Sequence, residues 1–229
     1  PTTLILNCFP GSLESSSKQP IKAVGISLAG SVDGKGRLTN LDNTIPVLEG
    51  TYILRFLKKV TSKPVIVEND ANCFTLAESI IGKNTIESTL GIIWGSGVGA
   101  GFLTTGTTHP TLITGSNNSG FEIGHTKVYS SLLETYVDLE KVCGGKFLPT
   151  VYRKIGGQKK NITSEDIISG IDSHAKKVTT ECLTQLGHMV ANLIKIANPQ
   201  RIVFGGGLSN LYPQVEKRLI SKIKKFSSS

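Results

Sequence analysis

From Ser88 to Phe121 the chain carries no Lys, Arg, Asp or Glu, and this restricts what the segment can become. An uncharged stretch of that length either crosses a membrane or is buried secondary structure. Here it is broken repeatedly by Gly, Thr and Ser and by Pro110, so it reads as strands and turns. Thr89 to Trp94 and Val98 to Leu103 are apolar runs on either side of Gly95-Ser96-Gly97, which predicts a hairpin. Upstream, Ile21 to Leu28 reads as a buried strand ending in Ala29-Gly30. A turn at Asp33-Gly34-Lys35-Gly36 and a helix follow, with Tyr52, Phe56 and Val60 about one turn apart. Pro64 stops that helix and opens a strand, Val65-Ile66-Val67. Asn69-Asp70 then caps a helix running through Phe74 and Leu76 towards Ile81-Gly82. Beyond His125 the chain reads as helical, most clearly where Leu183, Leu186, Val190, Leu193, Ile194 and Ala197 share one face. Asn198-Pro199 ends that helix, and Arg201 to Phe204 forms a strand running into Gly205-Gly206-Gly207. Alternating strands and helices give an α/β class, with a boundary between two lobes expected near residues 82–88.

Four segments carry candidate chemistry, and each has a plainer reading beside it. In Glu68-Asn69-Asp70-Ala71-Asn72 a carboxylate stands where a strand ends and a helix begins, a mouth common to α/β ligand sites. It could take a proton from a substrate hydroxyl, or Asn69-Asp70 could simply cap the helix. The segment Trp94 to Gly101 could bring backbone N–H groups close to phosphate oxygens, or its glycines could only turn a hairpin. It matches neither the Walker loop nor the dinucleotide fingerprint. Glu122 and His125, three residues apart, could hold neighbouring hydroxyls of one small polar ligand, although a single histidine also serves structure or metal. Gly205 to Gly207, between a strand and a helix start, suit a nucleotide or form a plain loop.

The net charge of +8 is scattered and accompanied by no nucleic-acid-binding motif, so a solvated lysine face is expected rather than a nucleic-acid partner. Cys8, Cys73, Cys143 and Cys182 form no C-x-x-C pair, which fits reduced thiols in a cytoplasmic protein. No signal peptide or membrane partner is expected.

Taken together and in this order, ENDAN, the glycine hairpin, EIGH and NPQRIVFGGGLS resemble the motifs of the ROK family of repressors, open reading frames and sugar kinases, from about Lys22 onward. The resemblance implies the actin-like ATPase, ribonuclease-H-like fold of two lobes around a cleft. The lobes would be residues 1–84, with sugar and catalytic base, and 85–229, with phosphate, sugar and adenosine contacts. It implies ATP-dependent phosphorylation of a hexose or N-acetylhexosamine with Mg²⁺, and a possible homodimer. Asp70 would be the base on the sugar hydroxyl. Gly30, Asn43, Asn69, Glu122, His125 and Glu140 would meet the sugar; Glu140 precedes the turn Cys143-Gly144-Gly145. Gly95, Ser96, Gly97 and Gly99 would face phosphate, and Gly205, Gly206 and Gly207 the adenosine side. Phosphoryl transfer needs mainly positioning and charge neutralisation, which these groups could supply.

Two departures qualify the resemblance. Family members often hold a structural zinc through the EIGH histidine and three cysteines preceding the later Glu. With Glu140 as that Glu, the cysteine positions fall on Ser131, Leu133 and Asp138, so no zinc is expected. An Asp-x-Gly-Gly-Thr phosphate loop is also absent before Ile21, and the chain opens on Pro1 rather than Met, so a fragment is expected. The alternative is a sugar-binding regulatory or non-catalytic relative.

Overall fold

The computed structural model describes residues 4–6, 22–39, 48–80, 87–105 and 109–227. Chain contacts divide it into two compact units. The first comprises residues 1–73 with Thr114–Gly120, and the second comprises Phe74–Ile113 with Phe121–Ser229. The expected lobe boundary at 82–88 falls largely on residues outside those described.

In the first unit, β1 (Leu4–Leu6), β2 (Val24–Leu28) and β5 (Val65–Asn69) form a parallel sheet in the order β1-β2-β5. Parallel neighbours need a crossover, and the one from β2 to β5 contains the small hairpin β3 (Ser31–Val32) and β4 (Leu38–Thr39) and the helix α1 (Ile53–Val60). Val32 and Leu38 form its small core, with Leu28, Leu48, Ile53, Leu54 and Val67 packed around them. The segment Thr114–Gly120 is tied in by Asn118, whose Nδ2 donates to Val32 O at 2.8 Å. The helix α2 (Asp70–Ile80) begins where β5 ends, with no loop.

The second unit is built on a mixed sheet in the order β11-β6-β7-β8. Its strands are β6 (Thr89–Trp94), β7 (Val98–Thr104), β8 (Thr111–Leu112) and β11 (Arg201–Gly205). The predicted hairpin is β6–β7, antiparallel, with Trp94 opposite Val98. The absence of charge has a direct cause: Leu90, Ile92, Trp94, Ala100, Phe102 and Leu103 are all buried, where an unpaired charge would be costly. Helices α3 (Leu139–Cys143), α4 (Leu148–Lys154), α5 (Ser164–Ile168), α6 (Ser173–Ala197) and α7 (Tyr212–Ser227) complete this unit. In α6, Ala175, Val178, Cys182, Leu186, Val190 and Leu193 are buried at helical spacing. Its start is capped by Asp172, which accepts from Ala175 N at 2.8 Å. Its end is Asn198 in the left-handed conformation at φ 45°, with Pro199 following.

The expectation that the chain turns helical directly beyond His125 is corrected. A second hairpin intervenes, β9 (Lys127–Ser130) with β10 (Thr135–Asp138). Its strands are rich in β-branched and aromatic residues, and Val128 faces Val137 while Tyr129 faces Tyr136. Such cross-strand pairs stabilise a sheet rather than a helix. Among the described residues no helix is long and apolar enough to cross a membrane.

Candidate active site

At the β5–α2 junction each polar side chain has a distinct task. Asn69 caps α2: its Oδ1 accepts from Ala71 N at 2.9 Å and from Asn72 N at 3.2 Å. Its Nδ2 donates to Gly30 O at 3.0 Å. Gly30 has φ 122°, a conformation that side-chain-bearing residues rarely adopt, so the end of β2 and the start of α2 are fixed together there. Glu68 Oε1 accepts from Asn69 N at 2.8 Å and from Asn72 Nδ2 at 2.9 Å. Asp70 Oδ1 accepts from Ala71 N at 2.9 Å. Burial pushes the Asp70 carboxyl above its ordinary range, and hydrogen bonds from the Ala71 N–H and from its own backbone N–H only partly offset this. The result is a carboxylate held by local backbone donors and more basic than an exposed aspartate. Nearby, Cys73 is raised first by burial, with Glu68 and Asp70 adding to the effect.

In the second unit the glycine turn, the EIGH turn, Glu140 and the three glycines after β11 come together. Residues Ile123–His125 form one 3₁₀ turn, which places Glu122 and His125 above one another, since residues three apart eclipse in that geometry. A side-chain carbon on Gly124 would stand 2.2 Å from Val98 O, and one on Gly97 would stand 2.9 Å from Glu140 Oε2. The Glu140 carboxylate, 7% exposed, therefore lies directly against the glycine turn. Its Oε1 is 3.4 Å from Lys141 Nζ. On the other side, Gly145 N donates to Gly95 O at 2.8 Å and Lys146 N to Ser96 O at 3.0 Å. Trp94 Nε1 donates to Cys143 O at 2.8 Å. Gly206, at φ 92°, would place a side-chain carbon 2.6 Å from Trp94 O. The carbonyls of Gly95 and Ser96 are thus occupied by the following segment, and Gly97 O accepts from Gly95 N at 3.1 Å. Among the described residues no backbone carbonyl accepts from the N–H groups of Ser96 or Gly97, which leaves them available to an anion.

The sequence-derived residues fall into two sets. Gly30, Asn69 and Asp70 belong to the first unit. Gly95, Ser96, Gly97, Gly99, Glu122, His125, Glu140, Gly205, Gly206 and Gly207 belong to the second. Asn43 lies outside the described residues. Two supporting roles were not legible in the sequence. Asn72, 2% exposed, orients Glu68 while its own Oδ1 has no hydrogen-bond partner. Ser164 closes the Gly145 turn, its Oγ donating to Gly145 O at 2.7 Å. The strand–helix junction marks the place of the first, and nothing local marks the second.

The fold is that of the actin-like ATPases. It superposes on a ROK hexokinase from Thermus thermophilus with a TM-score of 0.75 at 24% identity, over 90% of this chain and 70% of that one. A ROK family glucokinase from Streptomyces griseus, solved with glucose and AMPPNP, gives 0.71 at 22% identity, over 93% and 74%. The ROK family model matches residues 9–229, and the chain belongs to the ROK family. Its relatives include an N-acetyl-D-glucosamine kinase of Vibrio parahaemolyticus, 30% identical over 86% of this chain and 70% of the relative. The N-acetylgalactosamine kinase AgaK of a Shewanella strain is 29% identical over 82% of this chain. The chain spans 64% of that enzyme's length.

Proposed function

We propose that this chain carries the sugar-phosphorylating machinery of an ATP-dependent kinase acting on a hexose or N-acetylhexosamine. The phosphotransferase class rests on family membership and on the named relatives. The observation that carries the chemical step is Asp70, a desolvated carboxylate held by backbone N–H groups at the start of α2. In this reading the Asp70 carboxylate takes the proton from the sugar hydroxyl as the hydroxyl oxygen bonds to the γ-phosphorus of MgATP. The bond to the β-γ bridging oxygen breaks, and ADP leaves. General-base assistance of this kind contributes on the order of 10²–10⁴ in rate. Glu122, His125 and Glu140 would hold sugar hydroxyls. The free N–H groups of Ser96 and Gly97, with Gly99, would hold phosphate, and Gly205 to Gly207 the adenosine side. Asn69 has one amide hydrogen left after bonding Gly30, enough for one contact to a ring hydroxyl. The same reading keeps Mg²⁺ with the nucleotide, places the protein in the cytoplasm, and allows a homodimer that light scattering would detect.

The test is MgATP-dependent ADP release across a panel of hexoses and N-acetylhexosamines. Turnover with at least one sugar is expected. Sugar binding with no turnover would replace this reading with the sugar-binding regulatory or non-catalytic alternative.

A further inference from the structure

The two candidate sugar-contacting groups His125 and Glu140 are separated in sequence by the whole of the β9–β10 hairpin, yet they flank its base. Lys127 faces Asp138 in the ladder, and the pairing continues one step further, with Leu139 N donating to Thr126 O at 2.9 Å. His125 and Glu140 are the next residues outward on each side. Whatever fixes the hairpin therefore fixes the relation between them. We infer that Glu181 of α6, outside every motif read in the sequence, is a positioning residue for the sugar site.

Glu181 commits its whole carboxylate to the hairpin tip. It is 8% exposed, on the face of α6 that otherwise buries Val178, Cys182 and Leu186. Both oxygens go to one residue at the tip of the hairpin: Oε1 accepts from Ser131 N at 2.8 Å and Oε2 from Ser131 Oγ at 3.0 Å. One turn further along α6, Gln185 Nε2 donates to Tyr129 O at 2.8 Å. The adjacent residue, Cys182, accepts at its carbonyl from Cys143 Sγ at 3.4 Å, holding the end of the helix that carries Glu140. Consecutive positions of one rigid helix thus grip the hairpin tip and the far end of α3. Burying a carboxylate is costly unless it is fully hydrogen-bonded, and an apolar residue there would pack α6 equally well. What the carboxylate adds is a two-pronged hold on the Ser131 backbone and hydroxyl, which fixes hairpin orientation. Small displacements of substrate-positioning groups cost large factors in rate.

This inference rests on the sugar-contact reading of His125 and Glu140, and its test separates the two. Glu181→Gln can keep both bonds, its Oε1 accepting from Ser131 N and its Nε2 donating to Ser131 Oγ. Glu181→Ala keeps neither. Steady-state kinetics should show Glu181→Ala raising the sugar KM about tenfold or more with the ATP KM within about twofold, and Glu181→Gln restoring near-wild-type values. Hydrogen exchange should speed up across residues 127–138 in Glu181→Ala and not in Glu181→Gln. Equal rises in both KM values, an unchanged sugar KM, or unchanged hairpin exchange would overturn the inference. Should the wild type phosphorylate no sugar, the kinase reading falls, and calorimetric sugar binding takes the place of KM. Weakened binding with faster hairpin exchange in Glu181→Ala sustains the inference, and unchanged binding overturns it. If Glu181→Ala does not fold, Ser131→Ala decides, because it removes one bond at an exposed residue. A rise of about threefold in the sugar KM alone is expected of it, and no change overturns the proposal.

Discussion

Around Asp70, four polar side chains share a short stretch of chain, and their hydrogen bonds set the geometry. Around Gly97 there is almost no side-chain chemistry. There, carbonyls and N–H groups of residues 95–97 and 144–146 bond to one another, and absent side chains let the EIGH turn and the segment after β11 come close. The first region is under electrostatic demand: a carboxylate is desolvated with only backbone donors beside it, and Asn72 Oδ1 is buried without a partner among the described residues. The second is shaped chiefly by close backbone packing, with the buried Glu140 carboxylate against it. In the proposed reading, a base gains from being held above its ordinary pKa, whereas a phosphate-facing turn gains from rigid, close backbone.

The sharpest break of this contrast is steric. Gly124→Ala forces a carbon to within 2.2 Å of Val98 O, and the backbone must move. A loss of about 3 kcal/mol or more in urea unfolding is expected. Next comes Asn69→Ala, which removes the cap of α2 and the tie to Gly30, expected to cost about 1–2 kcal/mol in the same measurement. Asp70→Asn should act in the opposite direction. Burial raises the Asp70 pKa, so the folded chain binds this proton more tightly than the unfolded one. Its contribution to stability is present below the ordinary aspartate pKa and is lost as pH rises through the folded value. Asp70→Asn, which can still accept from Ala71 N, should therefore melt higher than wild type at neutral pH. The gap should close as the pH falls below about 4, and a gap that persists in acid would contradict the electrostatic account. Smallest of all is Gly207→Ala, where nothing lies within 4 Å. Its stability should stay within about 0.5 kcal/mol of wild type, which separates a glycine required by packing from one that is not.

What the sequence showed and what it hid follow the same division. The β6–β7 hairpin was legible because burial removed every charge and Gly95-Ser96-Gly97 marked the turn between two apolar runs. The β9–β10 hairpin was missed because its turn, Ser131 to Glu134, has no glycine: Glu134 itself takes φ 53°. Its outward Tyr129 and Tyr136 also blur the alternation. Only the second half of α6 was legible. Its first half carries Lys176, Lys177, Thr180 and Glu181 among the apolar positions, so nothing in the sequence singled out Glu181. The motif residues were singled out because chemistry restricts their types. The return of Thr114–Gly120 to the first unit through Asn118 depends on tertiary contact, and no local pattern encodes it.

The central claim, that Asp70 is the base and the rest of the site binds, is tested most directly by Asp70→Asn. Sugar phosphorylation would be measured alongside calorimetric sugar affinity. The account predicts turnover lower by about 10³-fold with sugar affinity within about tenfold of wild type. Turnover that survives, or that falls only in step with sugar binding, would contradict it.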